Sequence, residues 1–170
     1  MDPSQEATSA EILTAPIVAA AFDHAAHAAP SIRTLLRIYQ DLLGGVFVAG
    51  GDNTRVGYRV VHLQFDNGSK IELMEPLDGS TFFDSFFARM PHGGLHHVTF
   101  RVPDIRAAIV RMQQLGFRPT AVYLDDEVWQ EAFLHPREGS GALVQLVQTR
   151  PDLLQRASDN RTLEDVLRGR

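Results

Sequence analysis

The chain has 170 residues, of which 44% are hydrophobic and 22% are charged, as is usual for a globular protein with a buried core. Its formal net charge of −5 argues against a nucleic-acid partner, because neutralising phosphates requires a clustered basic surface. The absence of cysteine excludes disulfides, thiolate nucleophiles and cysteine zinc sites.

The first residues carry no basic region and no sustained periodicity, so residues 1–16 are predicted to form a mobile leader and not a signal peptide. The longest apolar stretch, residues 15–22, is too short to span a bilayer. We therefore expect a cytoplasmic protein with no membrane partner.

Residues 20–78 are predicted to form a β-α-β-β-β module. Apolar residues at helical spacing predict a helix that Ser31 can cap and that Gly44 and Gly45 end. Residues 66–69 give a strong hairpin signal between the last two strands. The predicted strands are residues 22–29, 46–49, 57–65 and 70–75, with a turn at residues 50–53.

A linker helix over residues 80–90 is predicted to precede a second module of the same plan over residues 94–149. Asp104 is expected to cap its helix and Gly116 to end it. The remaining predicted elements are strands at residues 95–102, 118–123, 128–134 and 142–148 and a C-terminal helix over residues 151–170. The two modules together form one predicted domain, residues 17–150.

The separation in sequence between His24 and His97 equals the separation between Glu72 and Gln145. A single offset therefore relates two pairs of potential metal ligands. The same offset pairs Pro30 with Pro103, Ile32 with Ile105, Arg33 with Arg106, His62 with His135 and Leu73 with Leu146. A repeat of this kind indicates a duplicated unit. If the two units pair into an incomplete barrel, the four residues line a common cleft.

Two imidazoles, a carboxylate and an amide oxygen form a mixed donor set that suits one divalent ion such as Zn, Co, Ni, Fe or Mn. Side chains alternate along a strand, so only one of His96 and His97 can face the cleft. The repeat selects His97 and leaves His96 as a packing or surface residue. Each histidine also has a structural interpretation, and Gln145 is either a ligand or a hydrogen-bonding neighbour.

Several stretches carry a resemblance to the vicinal oxygen chelate superfamily, and within it to the methylmalonyl-CoA epimerases and their glyoxalase-like relatives. These stretches are residues 22–24, 70–76, 94–98, 102–105, 133–136 and 141–146. The resemblance implies an α+β fold of two tandem modules around a metal cleft, with ligands His24, Glu72, His97 and Gln145. It also implies a small-molecule substrate such as an acyl-CoA, and a homodimer.

The chain departs from the epimerase pattern at Gln145, where those enzymes usually have a glutamate that is thought to move protons. An amide cannot do this, so another base is needed. The candidates are Glu72 acting as a detachable ligand, His62 and Glu131. For His62 the alternative interpretation is a polar residue near a strand end.

The leading hypothesis is a divalent-metal-dependent isomerase that polarises a substrate carbonyl for proton transfer, similar to methylmalonyl-CoA epimerase. A glyoxalase-type lyase or an Fe(II) oxygenase of the same fold is the second hypothesis, since two histidines and one glutamate resemble a facial triad. The third is a metal-free protein that binds a small molecule, as resistance proteins of this fold do.

Overall fold

The computed structural model describes residues 19–150 and 161–169, which fall into two compact units. The first unit contains residues 23–99 and 161–169, and the second contains residues 19–22 and 100–150. The predicted leader over residues 1–16 lies outside the described residues, as does the first half of the predicted C-terminal helix. Within residues 19–150 and 161–169, no helix has the length and apolar content needed to cross a membrane.

The observed elements confirm the predicted α+β plan of two tandem β-α-β-β-β modules. The first module comprises β1 Ala21–Ala28, α1 Ile32–Leu36 continued by a π-helix Arg37–Leu42, β2 Val46–Asn53, β3 Tyr58–Gln64 and β4 Lys70–Pro76. The linker holds the four-residue helix α2 Asp84–Phe87, which is shorter than predicted. The second module comprises β5 Gly94–Arg101, α3 Ile105–Gln114, β6 Pro119–Tyr123, β7 Trp129–Leu134 and β8 Val144–Thr149, and α4 Leu163–Leu167 follows.

The turn predicted at residues 50–53 is wrong, because these residues belong to β2 and pair with β3. A Cβ at Gly50 would lie 2.7 Å from the Val60 carbonyl oxygen, so this glycine permits a close approach of two strands. The turn follows at residues 54–57, where Gly57 has a φ of +101° that favours glycine. The sequence analysis placed Gly57 at the start of the predicted strand over residues 57–65, and the structure places it at the end of this turn.

The helix after β1 begins where predicted, but the Ser31 side chain makes no capping hydrogen bond. The Ile32 N–H donates instead to Glu75 Oε2 of β4, at 2.7 Å. The repeat reproduces this contact in the second module, where the Ile105 N–H donates to Gln148 Oε1 of β8 at 2.9 Å. Asp104 does cap α3, since its side chain accepts from the Ala107 N–H.

In the first unit the strand order is β2-β3-β4-β1-β5, with β1 parallel to β4 and β3 antiparallel to it. Alternation along the strands separates two faces of this sheet. One face packs on α1 through a cluster of buried residues that includes Ile32, Leu35, Leu36, Val61, Leu63 and Leu73. Residues His62, Glu72 and Met74 alternate with these core residues, so the polar site lies on the opposite face.

In the second unit the described strands β8, β7 and β6 follow one another in antiparallel order. The helix α3 packs on them through Ile105 and Ala108, which join Val102 and Ala132 in a small buried core. Gln145, which lies on β8 of this unit, is buried.

The substitution Glu75→Ala tests whether the hydrogen bond from the Ile32 N–H to the Glu75 carboxylate stabilises the protein in place of a serine cap. Glu75 also pairs with Arg59 Nη1 at 3.1 Å, so the variant leaves both a buried N–H and a guanidinium less satisfied. We expect a loss of about 1–3 kcal/mol in the free energy of unfolding, measured by urea denaturation. Glu75→Gln retains an acceptor oxygen and should lose less. The exposed Glu164→Ala is the control, and equal losses in all three variants would contradict the assignment.

Candidate metal centre

Three of the four predicted ligands come together in the first unit. His24, Glu72 and His97 are buried, and each offers one ligand atom within 4.8 Å of the others. They lie on β1, β4 and β5, which are neighbouring strands. His24 Nε2 is 3.7 Å from Glu72 Oε2, and His97 Nε2 is 3.7 Å from Glu72 Oε1.

These separations fit a shared divalent ion. Imidazole nitrogens and carboxylate oxygens bind such ions at about 2.0–2.2 Å, so two atoms on one ion lie at most about 4.4 Å apart. Both 3.7 Å separations are below that limit. The donor set of two nitrogens and one carboxylate also suits the metals expected from the sequence.

His24 is held in one tautomer by the residue that precedes it. Its Nδ1 lies 2.8 Å from Asp23 Oδ2, and Lys70 Nζ lies 2.7 Å from the same oxygen. Burial alone would raise the pKa of Asp23, but the hydrogen bonds from His24 and Lys70 lower it well below its usual value. Because an ionised carboxylate only accepts, His24 donates from Nδ1 and its Nε2 carries the lone pair.

The buried hydroxyl of Thr99 contacts the lone pair on His24 Nε2. Its Oγ1 lies 3.0 Å from His24 Nε2, and an unprotonated nitrogen can only accept from it. Asp23 was missed in the sequence analysis, although it stands directly before a predicted ligand. Metal-binding histidines commonly donate their second nitrogen to a carboxylate, which is the signal that could have identified it.

Glu72 is ionised in this environment. His62 Nε2 lies 3.0 Å from Glu72 Oε2 and donates to it. Burial raises the pKa of Glu72, but the His62 hydrogen bond and the charges of His62, His97 and His24 lower it to about 2. The register of the antiparallel pair β3 and β4 sets His62 directly opposite Glu72, so the predicted inward orientation of His62 places it beside the carboxylate.

His97 is neutral at physiological pH. Burial is the largest influence on the pKa of His97 and lowers it. The charge of the neighbouring Glu72 raises the pKa by less, so the resulting value is about 4. A neutral imidazole has a lone pair for a metal. The Nδ1 of His97 lies 2.9 Å from the Nδ1 of His96, whose ring packs near Phe82, Phe83 and Phe86.

The other two predicted residues, Gln145 and Glu131, lie in the second unit. Gln145 Nε2 donates to Glu131 Oε2 at 2.6 Å, and Trp129 Nε1 donates to the same oxygen at 2.8 Å. Gln145 therefore directs its amide nitrogen to Glu131. Its part as a fourth ligand, and that of Glu131 as a base, stay predictions.

Known proteins are similar to this chain over most of its length. Residues 23–133 match the family model of the glyoxalase/bleomycin resistance protein/dioxygenase superfamily. Ethylmalonyl-CoA/methylmalonyl-CoA epimerase of Cereibacter sphaeroides is 32% identical over 129 residues, which are 74% of this chain and 96% of that protein. Mitochondrial methylmalonyl-CoA epimerase of Homo sapiens is 30% identical over 132 residues, which are 74% of this chain and 72% of that protein.

A solved structure agrees with these relatives. The crystal structure of methylmalonyl-CoA epimerase from Mycobacterium tuberculosis matches with a TM-score of 0.69 and 26% sequence identity. The match covers 84% of this chain and 95% of that one. The predicted paired-module fold is thus confirmed by a protein of known structure.

A titration of His97 in the metal-free protein tests the electrostatics of the centre. With a pKa of about 4, the imidazole should stay neutral as the pH falls from 7 to about 5, in contrast to an ordinary histidine. The unfolded chain would then bind more protons between pH 6.5 and 4, so stability should fall as the pH falls through that window. NMR of the ring Cε1–Hε1 group, assigned with His97→Gln, measures the midpoint. A midpoint near 6.5 would exclude this description.

Proposed function

Because this chain belongs to the glyoxalase/bleomycin resistance protein/dioxygenase superfamily and has methylmalonyl-CoA epimerases among its relatives, we propose that it is a metal-dependent epimerase of 2-methylacyl-CoA thioesters of the methylmalonyl-CoA type. The observation that carries the proposal is the convergence of His24, Glu72 and His97. The homodimer and the cytoplasmic location expected from the sequence stay predictions.

The protonation states of the three side chains support the metal. Glu72 is an ionised carboxylate, and His24 presents a lone pair on Nε2 because its Nδ1–H donates to Asp23. These electron-pair donors lie 3.7 Å apart, an arrangement that favours a cation among them. A divalent ion held there would supply Lewis-acid chemistry, which polarises a substrate carbonyl and acidifies the adjacent C–H group.

His62 is our proposed proton acceptor. Its Nε2–H donates to Glu72, so Nδ1 is the ring atom that can take a proton from the substrate α-carbon. The resulting imidazolium would be stabilised by the Glu72 carboxylate at 3.0 Å. The side chain is 19% exposed, in contrast to 1% for His24, which makes it accessible to a bound molecule.

The other two predicted bases are weaker candidates. The pKa of Glu72, about 2, makes this carboxylate a poor proton acceptor near neutral pH. Glu131 Oε2 already accepts hydrogen bonds from Gln145 and Trp129, so this oxygen is engaged within its own unit. Of the three, His62 is therefore the best candidate, because its ring offers one nitrogen that donates to Glu72 and a second that can accept a proton.

An Fe(II) oxygenase is the second candidate, and the ligand composition favours it. Two histidines and one carboxylate form the donor set of non-haem iron oxygenases. Oxygen consumption that depends on added Fe(II) and on a substrate would support this function. Proton exchange that is supported equally by Co, Ni or Zn, without oxygen uptake, would support the epimerase.

Hydrogen exchange at the substrate α-carbon tests the proposed epimerase. Methylmalonyl-CoA incubated in deuterated buffer with Co-loaded protein should gain deuterium at C2, measured by mass spectrometry. Glu72→Ala and His97→Ala should lower both the metal content and the exchange rate, the latter by at least about 100-fold. His92→Ala, which removes an exposed histidine, is the control. Absence of exchange by the metal-loaded wild-type protein would refute the epimerase proposal.

The variant His62→Asn separates proton transfer from metal binding. Loss of a general base typically lowers kcat by about 100- to 10,000-fold, while the three proposed ligands remain. We expect that loss in the exchange assay, together with unchanged Co stoichiometry by elemental analysis. Retention of most of the wild-type rate would remove His62 from the proposed mechanism, and loss of bound Co would reassign it to the metal centre.

A further inference from the structure

The second unit contains a cavity between α3 and the strands β7 and β8, on the face of these strands that α3 covers. Its volume is about 350 Å³, which lies within the range of small-molecule sites. Ala108 and Met112 of α3 line it from one side, and Leu134 of β7 and Leu146 of β8 line it from the strands. Leu146 alternates with the neighbouring Gln145 along β8, so the cavity lies on the opposite face from this predicted metal ligand.

The cavity faces a stripe of residues along α3 and its C-cap. Four lining residues stand at positions i, i+3, i+4 and i+7, namely Ala108, Arg111, Met112 and Leu115. These positions form one face of a helix, and apolar residues are the ordinary occupants of a face that packs on a sheet. Arg111 departs from that pattern. The other described residues that line the cavity are alanine, leucine, methionine, phenylalanine and valine, and none of them carries a charge.

A glycine turn at the C-terminal end of α3 shapes one end of the cavity. Gly116 has a φ of +82°, and its N–H donates to the Gln113 carbonyl oxygen. The Phe117 N–H donates to the Met112 carbonyl oxygen at 2.9 Å. These two bonds form a Schellman motif, which turns the residue after the glycine back toward the helix. Phe117 and Met112 both line the cavity, so backbone hydrogen bonds fix its shape at this end.

Arg111 has a buried guanidinium nitrogen, Nη1, with no hydrogen-bond partner among the described residues. An arginine that packs on an apolar surface usually extends its charged end into water, but a buried Nη1 does not reach it. The position of Arg111 in the last turn of α3 places its charge near the negative end of the helix dipole, which supplies no acceptor to Nη1. Burial of a charged donor without an acceptor is more unfavourable than burial of a neutral one, so a ligand that brings an acceptor would be stabilised here.

The ligand that matches one cation and apolar walls is an anion with a hydrocarbon body. A planar guanidinium binds a carboxylate or a phosphate through paired N–H groups. A carboxylate matches better, because a phosphate monoester carries close to two negative charges at neutral pH and no second cation lines the cavity among the described residues. A volume of about 350 Å³ holds roughly ten non-hydrogen atoms, since a water molecule takes about 30 Å³ of the liquid.

We propose that this cavity binds a medium-chain carboxylate of about eight carbons, with the carboxylate on Arg111 and the alkyl chain against Met112 and Phe117. The charge of the guanidinium selects the anionic group, and the apolar walls stabilise the chain by removing it from water. All described residues that line the cavity belong to the second unit, whereas the three residues of the proposed metal centre belong to the first. The proposal is therefore independent of the proposed epimerase.

Titration calorimetry with sodium octanoate, kept below the concentration at which it aggregates, measures the affinity for such a carboxylate. Octanol has the same chain without the charge and should bind at least about 10-fold more weakly, because it lacks the charge-assisted hydrogen bond. The ε-methyl NMR signal of Met112 should shift as octanoate saturates the protein, whereas that of Met74 in the first unit should not. Equal affinities for octanoate and octanol, or an unchanged Met112 signal, would overturn the proposal.

The variant Arg111→Met keeps an unbranched side chain but removes the cation. It should weaken octanoate binding by at least about 10-fold and leave octanol binding unchanged. Without ligand, its melting temperature should equal or exceed that of wild type, since a buried charged donor without an acceptor has been removed. Arg106→Met, at an exposed position of the same helix, is the matched control and should bind octanoate like wild type. A lowered melting temperature of Arg111→Met combined with wild-type octanoate affinity would show that Arg111 only supports the fold.

Further measurements decide if Arg111→Met fails to fold. Arg111→Lys keeps the charge without the planar fork, so it should still bind octanoate more tightly than octanol, and the reverse order would count against the proposal. Tighter binding of octyl phosphate than of octanoate would overturn the choice of a carboxylate. Octanoate binding that is lost as the protein associates, followed by sedimentation velocity at rising protein concentration, would assign the cavity to an interface between copies of this chain and overturn the proposal.

Discussion

The buried carboxylate of Glu72 is the charge around which the site of the first unit is built. Only 8% of this residue is exposed, and an unpaired carboxylate in such a place would cost several kcal/mol. Its partners are imidazoles from strands on either side in the sheet order, His62 on β3 and His24 on β1. Because side chains alternate along a strand, Ile71 and Leu73 point into the hydrophobic core and Glu72 points to the opposite face, toward these histidines.

Much of the fold could be predicted because hydrophobic periodicity and the internal repeat indicate the same plan. Each copy yields the predicted order of elements, and the repeat extends to contacts that sequence matching did not reveal. The Ala29 N–H donates to Met74 O in the first copy, and the Val102 N–H donates to Val147 O in the second. The errors occurred where long-range contacts override local signals: Glu75 replaces Ser31 as the acceptor for α1, and β2 extends through the glycines of the expected turn.

In the site, too, the sequence pattern predicted some of the residues, and others became evident only from the side-chain contacts of the folded protein. The repeat offset identified His24, Glu72 and His97, because duplication preserves which strand positions face the cleft. It did not identify Asp23 or His96 as partners of the ligands. Adjacent residues of a strand point to opposite faces, so a side-chain hydrogen bond between neighbours is not expected from alternation alone. Both bonds depend on side-chain rotamers that the sequence pattern does not fix.

The two copies also differ in charge, and this difference bears on the chemistry. Asp23 brings a second carboxylate close to the centre, but Lys70 at 2.7 Å compensates its charge, so Asp23 can orient His24 without adding net negative charge. At the equivalent position of the second copy, His96 has an imidazole in place of a carboxylate, and its Nδ1 lies 2.9 Å from the Nδ1 of His97. Glu72 is then the one uncompensated anion among these residues, and a divalent ion balanced by a single carboxylate keeps a net positive charge. If the proposed metal is bound, a centre of that kind would polarise a carbonyl more strongly than one with two anionic ligands, and the proposed proton transfer next to a thioester would benefit from that property.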